Sequence, residues 1–409
     1  MFELNLKRFD LNTQTTLKNS TGNDLSPEMK TFYDKALLKF AKPNLVHDQF
    51  AQKRNIPKNG GKTIEFRRYS QLPKAMTPLV EGVTPDGQNL NVTTLTATVK
   101  QYGGYITLSD MLILTAIDNN LMEAIELLGD QAGRTLDTVT REILCSGTNV
   151  LYAGGTVSAR TSVGSTMKLS VDDIKKAVRE LKVGLAKKIN GYYVAIIHPD
   201  CEYDIMNDDE WINASQYAGS EQIFEGEIGK LYGVRFVEST EAKIFKGEPF
   251  TATSSTLSVK TTSSSSTTLA VKEAISASEA TALAGRKILI GTALAEIASA
   301  SSGSAGNASL TLKSAGSYTQ DTVIYPADGG AGGIAVYATL VLGANAYGTT
   351  NVEGGGLQSI VKQLGSGGTA DPLNQRATAG WKAIKTAEIL YDDYIVRIES
   401  ASTYSSDAN

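Results

Sequence analysis

The chain has 409 residues, with 39 Lys+Arg against 43 Asp+Glu, two His, two Cys and 38 Gly. The net charge of −4 excludes a strongly basic nucleic-acid binder while leaving room for a local basic patch. Cys145 and Cys201 cannot form a disulfide framework, and His47 and His198 stand too far apart for a histidine-spaced zinc site, so packed cores must supply the stability.

Met1 to Arg8 lacks the basic-then-apolar pattern of a signal peptide, and no run of about 18 apolar residues occurs to span a membrane. Residues 1 to about 60 read as an arm, with ten Lys/Arg against six Asp/Glu. Ser26 as N-cap and Pro27 at the first helical position predict a helix to Phe40. Such an arm either packs on the body or reaches a neighbouring subunit or acidic partner.

From Lys62 to Leu108, two partly alternating strings (Thr63 to Tyr69 and Leu95 to Tyr102) flank a stretch holding Pro73, Pro78, Gly82, Pro85 and Gly87. This pattern predicts an extended hairpin around a long, turn-rich loop. A loop of that length without its own core is usually functional. Its apolar residues Leu72, Met76, Leu79, Val80 and Val83 need a covering surface, for which another subunit is a candidate.

Ser109 or Asp110 caps the strongest helical pattern. Leu114, Ile117, Leu121, Ile125, Leu128, Ala132, Leu136, Val139 and Ile143 form one stripe at steps of three or four, a core face reaching to Cys145. Such a helix would span about 54 Å. A second helix starts at Ser170, where Ser170 and Asp173 resemble a capping box, and Ile174, Ala177, Val178, Leu181 and Leu185 form its buried face. Tyr192 to Ile197 and Leu231 to Val237 read as strands of a mixed α/β segment.

Between Glu248 and Tyr325, 28 of 78 residues are Ser or Thr and only 10 are charged. Alternating strings at Thr256–Lys260, Thr268–Lys272 and Ser309–Lys313 predict a small β-rich inserted domain, with a capped helix at Ser276 and loops at Ser263–Thr268 and Ser299–Ser304. Beyond it, Ile334 to Leu342 reads as a buried strand, Gly343 to Gln375 as glycine-rich loop, and Trp381–Leu390 with Tyr394–Ile398 as a terminal strand pair.

The search for chemistry is largely negative. Asn59-Gly60-Gly61-Lys62-Thr63 ends like a phosphate-binding loop, but Ile56 stands where its first glycine belongs and a strand follows. No Gly-x-Ser-x-Gly elbow occurs, and the glycine runs at 354–356 and 365–368 lack a dinucleotide-binding context. His198 and Cys201 could form a pair, yet positions so close rarely aim at one substrate atom. Asp208-Asp209-Glu210 lacks calcium-loop spacing and reads as a solvated acidic turn. Lys175, Lys176, Arg179, Lys182, Lys187 and Lys188 give the second helix a basic face without interleaved aromatics, which reads as a solvated face. No catalytic residue, metal ligand or cofactor is assigned.

The order of parts resembles the HK97-type fold of tailed-bacteriophage major capsid proteins. Pro78-Leu79-Val80-Glu81-Gly82-Val83-Thr84-Pro85 looks like the extended-loop tip of the branch typified by the phage N-four capsid. Val99-Lys100-Gln101-Tyr102-Gly103-Gly104-Tyr105 with Leu108-Ser109-Asp110 resembles the approach to its spine helix. His198-Pro199-Asp200, Gly229 to Arg235, and Gly365 to Arg376 with Trp381-Lys382 are similar to that group as well. The likeness spans about 1–247 and 326–403 and leaves out the Ser/Thr-rich insert.

The resemblance implies an α+β capsid fold. Its parts would be an N-terminal arm (1–60), an E-loop (61–108), a peripheral domain with the spine helix (109–167 and 376–409), an axial domain (168–247 and 326–375) and an inserted surface domain (248–325). It implies a shell subunit without catalysis or cofactor, assembled in the bacterial host cytoplasm into hexamers and pentamers of the virion capsid. Its partners would be copies of itself, portal and scaffolding proteins, a possible decoration protein and non-specifically contacted double-stranded DNA, with no membrane. The subunit interface would include Arg67, Arg68, Lys74, Met76, Leu79, Val80, Glu81 and Val83 of the E-loop. The other readings are a bacterial nanocompartment shell, which the loop strings disfavour, and a surface adhesin or glycan binder through the insert.

Overall fold

The computed structural model describes Leu37, Ala41 and residues 45–57, 61–69, 72–76, 78–79, 81–82, 84, 87–115, 120–212, 229–254, 256–291, 293–352, 355–364, 371 and 373–409. The helix expected from Pro27 to Phe40 lies outside them except at Leu37, which is helical and buried. The chain forms two compact units, Met1–Thr140 with Tyr347–Leu390 and Arg141–Ala346 with Tyr391–Asn409.

The first unit is organised by one long strand. Strands β1 (Gln52–Ile56), β2 (Thr63–Tyr69), β3 (Val92–Thr98) and β4 (Lys100–Ser109) precede helices α1 (Asp110–Thr115) and α2 (Asn120–Leu144). β2 and β3 pair antiparallel from Thr63 opposite Thr98 to Tyr69 opposite Val92, the ladder of the expected hairpin. The unit's later strands, Tyr347–Val352, Gln358–Lys362 and Arg376–Ile389, join β1 and β4 in one sheet. The 14-residue strand Arg376–Ile389 takes β4 along ten residues and also pairs with both other late strands. Its inward residues Ala379, Trp381 and Ala383 pack on Ile125, Leu128, Ala132 and Leu136 of α2. The stripe read from sequence therefore lines a core from Leu121 to Leu136, and the helical spans are 110–115 and 120–144 with 116–119 outside the described residues.

Glycines make that packing possible. A side chain at Gly103 would stand 2.7 Å from the Trp381 carbonyl oxygen, and one at Gly104 would stand 2.7 Å from Gln131 Oε1. Gln131 Oε1 accepts a 3.1 Å hydrogen bond from the Trp381 indole. Nearby, the buried His47 donates from its backbone N and from Nδ1 to Asp137 at 2.7 and 2.6 Å, tying residues 45–50 to α2.

The second unit holds a mixed seven-stranded sheet. Strands β5 (Val150–Tyr152), β6 (Tyr193–Ile197), β7 (Lys230–Leu231), β8 (Val234–Glu238) and β9 (Ile244–Phe245) join the strands Val336–Leu342 and Ile395–Ser400. The three strands Tyr193–Ile197, Val336–Leu342 and Ile395–Ser400 are buried at every position, as central strands covered on both faces must be. Helices α3 (Val171–Val183) and α4 (Pro199–Met206) contribute to one core with Ala195, Ile197, Val341, Val396 and Ile398. The capping box at Ser170 and Asp173 is formed in full.

The insert has its own core and its own sheet. Strands β10 (Leu257–Ser258), β11 (Ser263–Ala270), β12 (Lys287–Ile290), β13 (Ala293–Ser301), β14 (Ser309–Tyr318) and β15 (Val323–Pro326) run in the order β10-β15-β12-β13-β14-β11. A bridge between Val259 and Val271, with Lys260 N donating to Ala270 O and Lys272 N to Ser258 O, joins the two ends of the sheet into a closed barrel. Closure removes the free edges that an exposed module would otherwise offer for aggregation. Helix α5 (Ala277–Leu283), capped by Ser276 and Glu279, packs Leu283 into the barrel core.

The structure departs from the sequence reading at particular places. Ser263–Thr268 and Ser299–Ser301 are strand rather than loop, because β14 supplies their backbone partners and a solvent-facing strand needs no apolar alternation. Residues 347–352 and 358–362 are likewise strands inside the segment read as glycine-rich loop; from here they are β17 and β18, with β16 (Val336–Leu342), β19 (Arg376–Ile389) and β20 (Ile395–Ser400). β19 and β20 do not pair with each other: β19 pairs with β4, β17 and β18, while β20 pairs with β16 and β5. Residues 347–375 consequently group with the long helix, and residues 391–409 with the mixed sheet, a different division from 326–375 and 376–409. Leu231 to Val237 is a hairpin because Tyr232 and Gly233 adopt φ +49° and +82°, the twist a two-residue turn needs. Leu185, expected on a buried face, is exposed because α3 ends at Val183 and Leu185 turns at φ +58°.

The insert leaves and rejoins the body at one point. A side chain at Gly247 would stand 1.8 Å from Pro326 Cβ, so the Gly247 backbone packs directly against the Pro326 ring. Joining 247 to 326 by a short linker is expected to leave a soluble body, because no core residue of the mixed sheet is removed. Circular dichroism and gel filtration check this; an aggregated product would mean that the barrel core completes the body.

Candidate interaction surfaces

The β2–β3 hairpin changes character along its length. At its root, Phe66 is buried, with its ring against Gly348 of β17 and the Arg54 guanidinium 5.7 Å from the ring centroid. Towards the tip, Leu72 and Leu90 are exposed, and Met76 and Leu79 reach 81% and 77% exposure. Arg67, Lys74 and Glu81 are exposed on the same hairpin and Arg68 is half-buried; Val80 and Val83 lie outside the described residues. An apolar cluster this exposed on one projecting element is a mark of an interaction site. In the same unit, the outward face of α2 exposes Glu123, Glu126 and Leu127.

The residues that suggested chemistry make contacts within the fold. His198 caps α4, its Nδ1 accepting from the Asp200 backbone N at 3.1 Å. Cys201 is buried with Sγ 3.7 Å from Ser400 Oγ, and burial pushes its thiol well above the ordinary range. Burial also pushes the Cys145 thiol up to about 12, so neither sulfur is a thiolate at neutral pH. Asp208 accepts from Val171 N at 3.0 Å, and Glu210 pairs with Lys175. No cluster of three or more metal-ligating side chains occurs among the described residues.

The cap at His198 makes stability depend on pH. Burial holds its pKa below the ordinary 6.5, against the opposing pull of Asp200. The unfolded chain therefore takes up the proton first, so this contribution is present above 6.5 and declines as pH falls towards the lower native value. Urea midpoints are expected to fall between pH 7.5 and 5.5, and His198→Asn, which caps without titrating, should flatten that slope. Glu142 titrates elsewhere: burial raises its pKa, but Lys243 and Arg141 outweigh it and leave it below 4.5.

The basic face of α3 is not free of aromatics, as the sequence suggested. The β7–β8 hairpin brings Tyr232 against Lys175, with Nζ 4.8 Å from the ring centroid, and Lys230 lies 4.4 Å from the Tyr192 ring. The missed signal is the Tyr232-Gly233 dipeptide, which marks a turn inside an apparent strand. Sequence also gave no sign of the buried group at Arg160, Arg397 and Glu399, where Glu399 Oε1 lies 2.6 Å from Arg160 Nη2 and 2.8 Å from Arg397 Nε.

Three solved phage capsid chains share this architecture. The capsid of cyanophage Pam1 matches with a TM-score of 0.55 and 13% identity, over 100% of both chains. The HK97-type capsid fold is established. The capsids of Ralstonia phage GP4 and cyanophage P-SCSP1u match at TM-scores of 0.52 and 0.51, each at 13% identity, covering 89% and 88% of this chain and 90% and 89% of theirs. The profile of the phage capsid protein family matches residues 92–254, from β3 through β9 to the start of the insert. No curated protein matches the sequence. Among the described residues no helix is long and apolar enough to cross a membrane.

Proposed function

We propose that the chain is the major capsid protein of a tailed phage, of the branch to which its loop strings point. Copies assemble as hexamers and pentamers into an icosahedral shell around double-stranded DNA. The observation that carries this reading is the end-to-end agreement with a phage shell subunit over the full length of both chains. The exposed apolar tip of the E-loop supports it, because a heterologous contact repeated by rotation gives each tip a neighbouring copy to cover it. Glu123 and Glu126 around Leu127 offer that neighbour's complement to Arg67, Lys74, Met76 and Leu79. Many modest contacts suffice in a closed shell, since each copy is held by several neighbours at once. Portal and scaffolding proteins complete the assembly, and the barrel lies on the outer surface, where a decoration protein could reach it.

Expression of the chain with its scaffolding protein, followed by electron microscopy, tests the reading. Particles of capsid size are expected. Monomers that persist under every assembly condition overturn it.

A further inference from the structure

We propose that the basic face shared by α3 and the β7–β8 hairpin is a contact for the phosphate backbone of duplex DNA. The proposal deepens the shell reading by naming where an enclosed genome is touched. Seven cations gather there: Lys175, Arg179, Lys182, Lys187 and Lys188 from α3 and the residues after it, and Lys230 and Arg235 from the hairpin. They form one patch. Lys175 lies over Tyr232, Lys230 over Tyr192, and Lys188 Nζ lies 3.6 Å from where a Cβ on Gly233 would stand. An open groove of about 430 Å³ runs between Lys175, Arg179, Lys182 and Tyr232, the last 52% exposed.

Among the described residues the patch carries more cations than carboxylates. Glu210 takes Lys175, and Glu180 and Asp393 line the adjoining groove with Arg179. Among the described residues, the six other cations form no ion pair with a carboxylate. Lys230 even stands directly opposite Arg235 in the β7–β8 ladder. Facing like charges destabilise a strand pair, and a polyanion laid across both would relieve the repulsion. The chain as a whole carries a net charge of −4, so this face is a local basic patch on an acidic protein.

The composition favours a nucleic acid over an acidic protein. Five of the seven cations are Lys, a residue depleted from protein–protein interfaces, and each sits on a long exposed or half-buried stem suited to a phosphate track. Tyr232 and Tyr192 hold two of the ammonium groups in place.

The test is fluorescence anisotropy of the full unassembled chain with a random-sequence 30-base-pair duplex. If about four phosphates are neutralised, affinity should fall on the order of 100-fold between 50 and 200 mM salt. Arg179→Glu with Lys182→Glu and Lys230→Glu should weaken binding at least about tenfold at low salt and flatten the salt slope. The milder Lys182→Gln with Arg235→Gln should move both in the same direction, guarding against a folding defect. Lys260→Glu with Lys313→Glu on the barrel should change neither. Equal binding by wild type and patch variants, or binding to polyglutamate without binding to the duplex, overturns the proposal. Particle formation is scored separately: shells that form normally from patch variants with lost DNA affinity support it. Duplex binding by a wild-type chain that never forms shells would keep the contact and remove the shell reading.

Discussion

A chain lacking Pro73 to Gly87 should fold normally and fail to form shells. The deletion leaves the β2–β3 ladder intact from Thr63 opposite Thr98 to Tyr69 opposite Val92. It also leaves Phe66, which anchors the hairpin root under β17. The described residues of the removed segment are all exposed, Met76 and Leu79 among them. Thermal unfolding should therefore stay within about 0.5 kcal/mol of wild type, as for surface changes generally. In a shell the same side chains would be buried by a neighbour, each worth roughly 1.5–3 kcal/mol when fully covered. The double substitution Met76→Ser, Leu79→Ser should thus raise the concentration needed for assembly by one to several orders of magnitude, about tenfold per 1.4 kcal/mol. Light scattering and negative-stain microscopy give the readout. Shells formed at wild-type yield by the trimmed chain would show that the tip is not an interface.

Local patterns were legible in the sequence; the choice of partners was not. Alternation and turn residues gave the β2–β3 hairpin, a repeat of three and four gave the apolar stripe of α2, and both Ser-led capping boxes formed where their spacing placed them. These features depend on residues within a few positions of one another. The strands β17 and β18 were missed because their stability comes from β19, 16 to 42 residues further on, as the register pairs Tyr347 with Ile389 and Lys362 with Thr378 show. The pairing of β20 with β16 rather than β19 is another long-range choice, decided by burial on both faces. At the interaction surfaces, the exposed apolar tip could be read from composition and length. The alignment of Tyr232 with Lys175 could not, since it depends on a turn that returns the chain towards α3.

Glu399 is the position where one substitution should cost the second unit most. Its side chain is fully buried on β20. Arg160 grips it with two hydrogen bonds, Nε to Oε2 at 2.8 Å and Nη2 to Oε1 at 2.6 Å, and Arg397 Nε donates at 2.8 Å. Arg397 also reaches the Cys145 and Gly147 carbonyls, which end α2, so the carboxylate holds two cations that in turn hold other elements. The Arg160 guanidinium lies 3.4 Å from the Phe245 ring centroid, which keeps it from leaving readily for solvent. Glu399→Gln preserves the shape and removes the charge, leaving two guanidinium groups together without a counter-ion. Breaking a buried pair in this way costs about 3–5 kcal/mol. The two tryptophans separate the measurement: Trp381 belongs to the first unit and Trp211 packs on the core of the second. In a Trp381→Phe background, the urea transition followed through Trp211 should shift strongly with Glu399→Gln. Adding Arg160→Met should recover much of the loss, because one cation then remains and an apolar side chain meets Phe245. A transition unchanged by Glu399→Gln would mean that the carboxylate contributes little beyond its own desolvation.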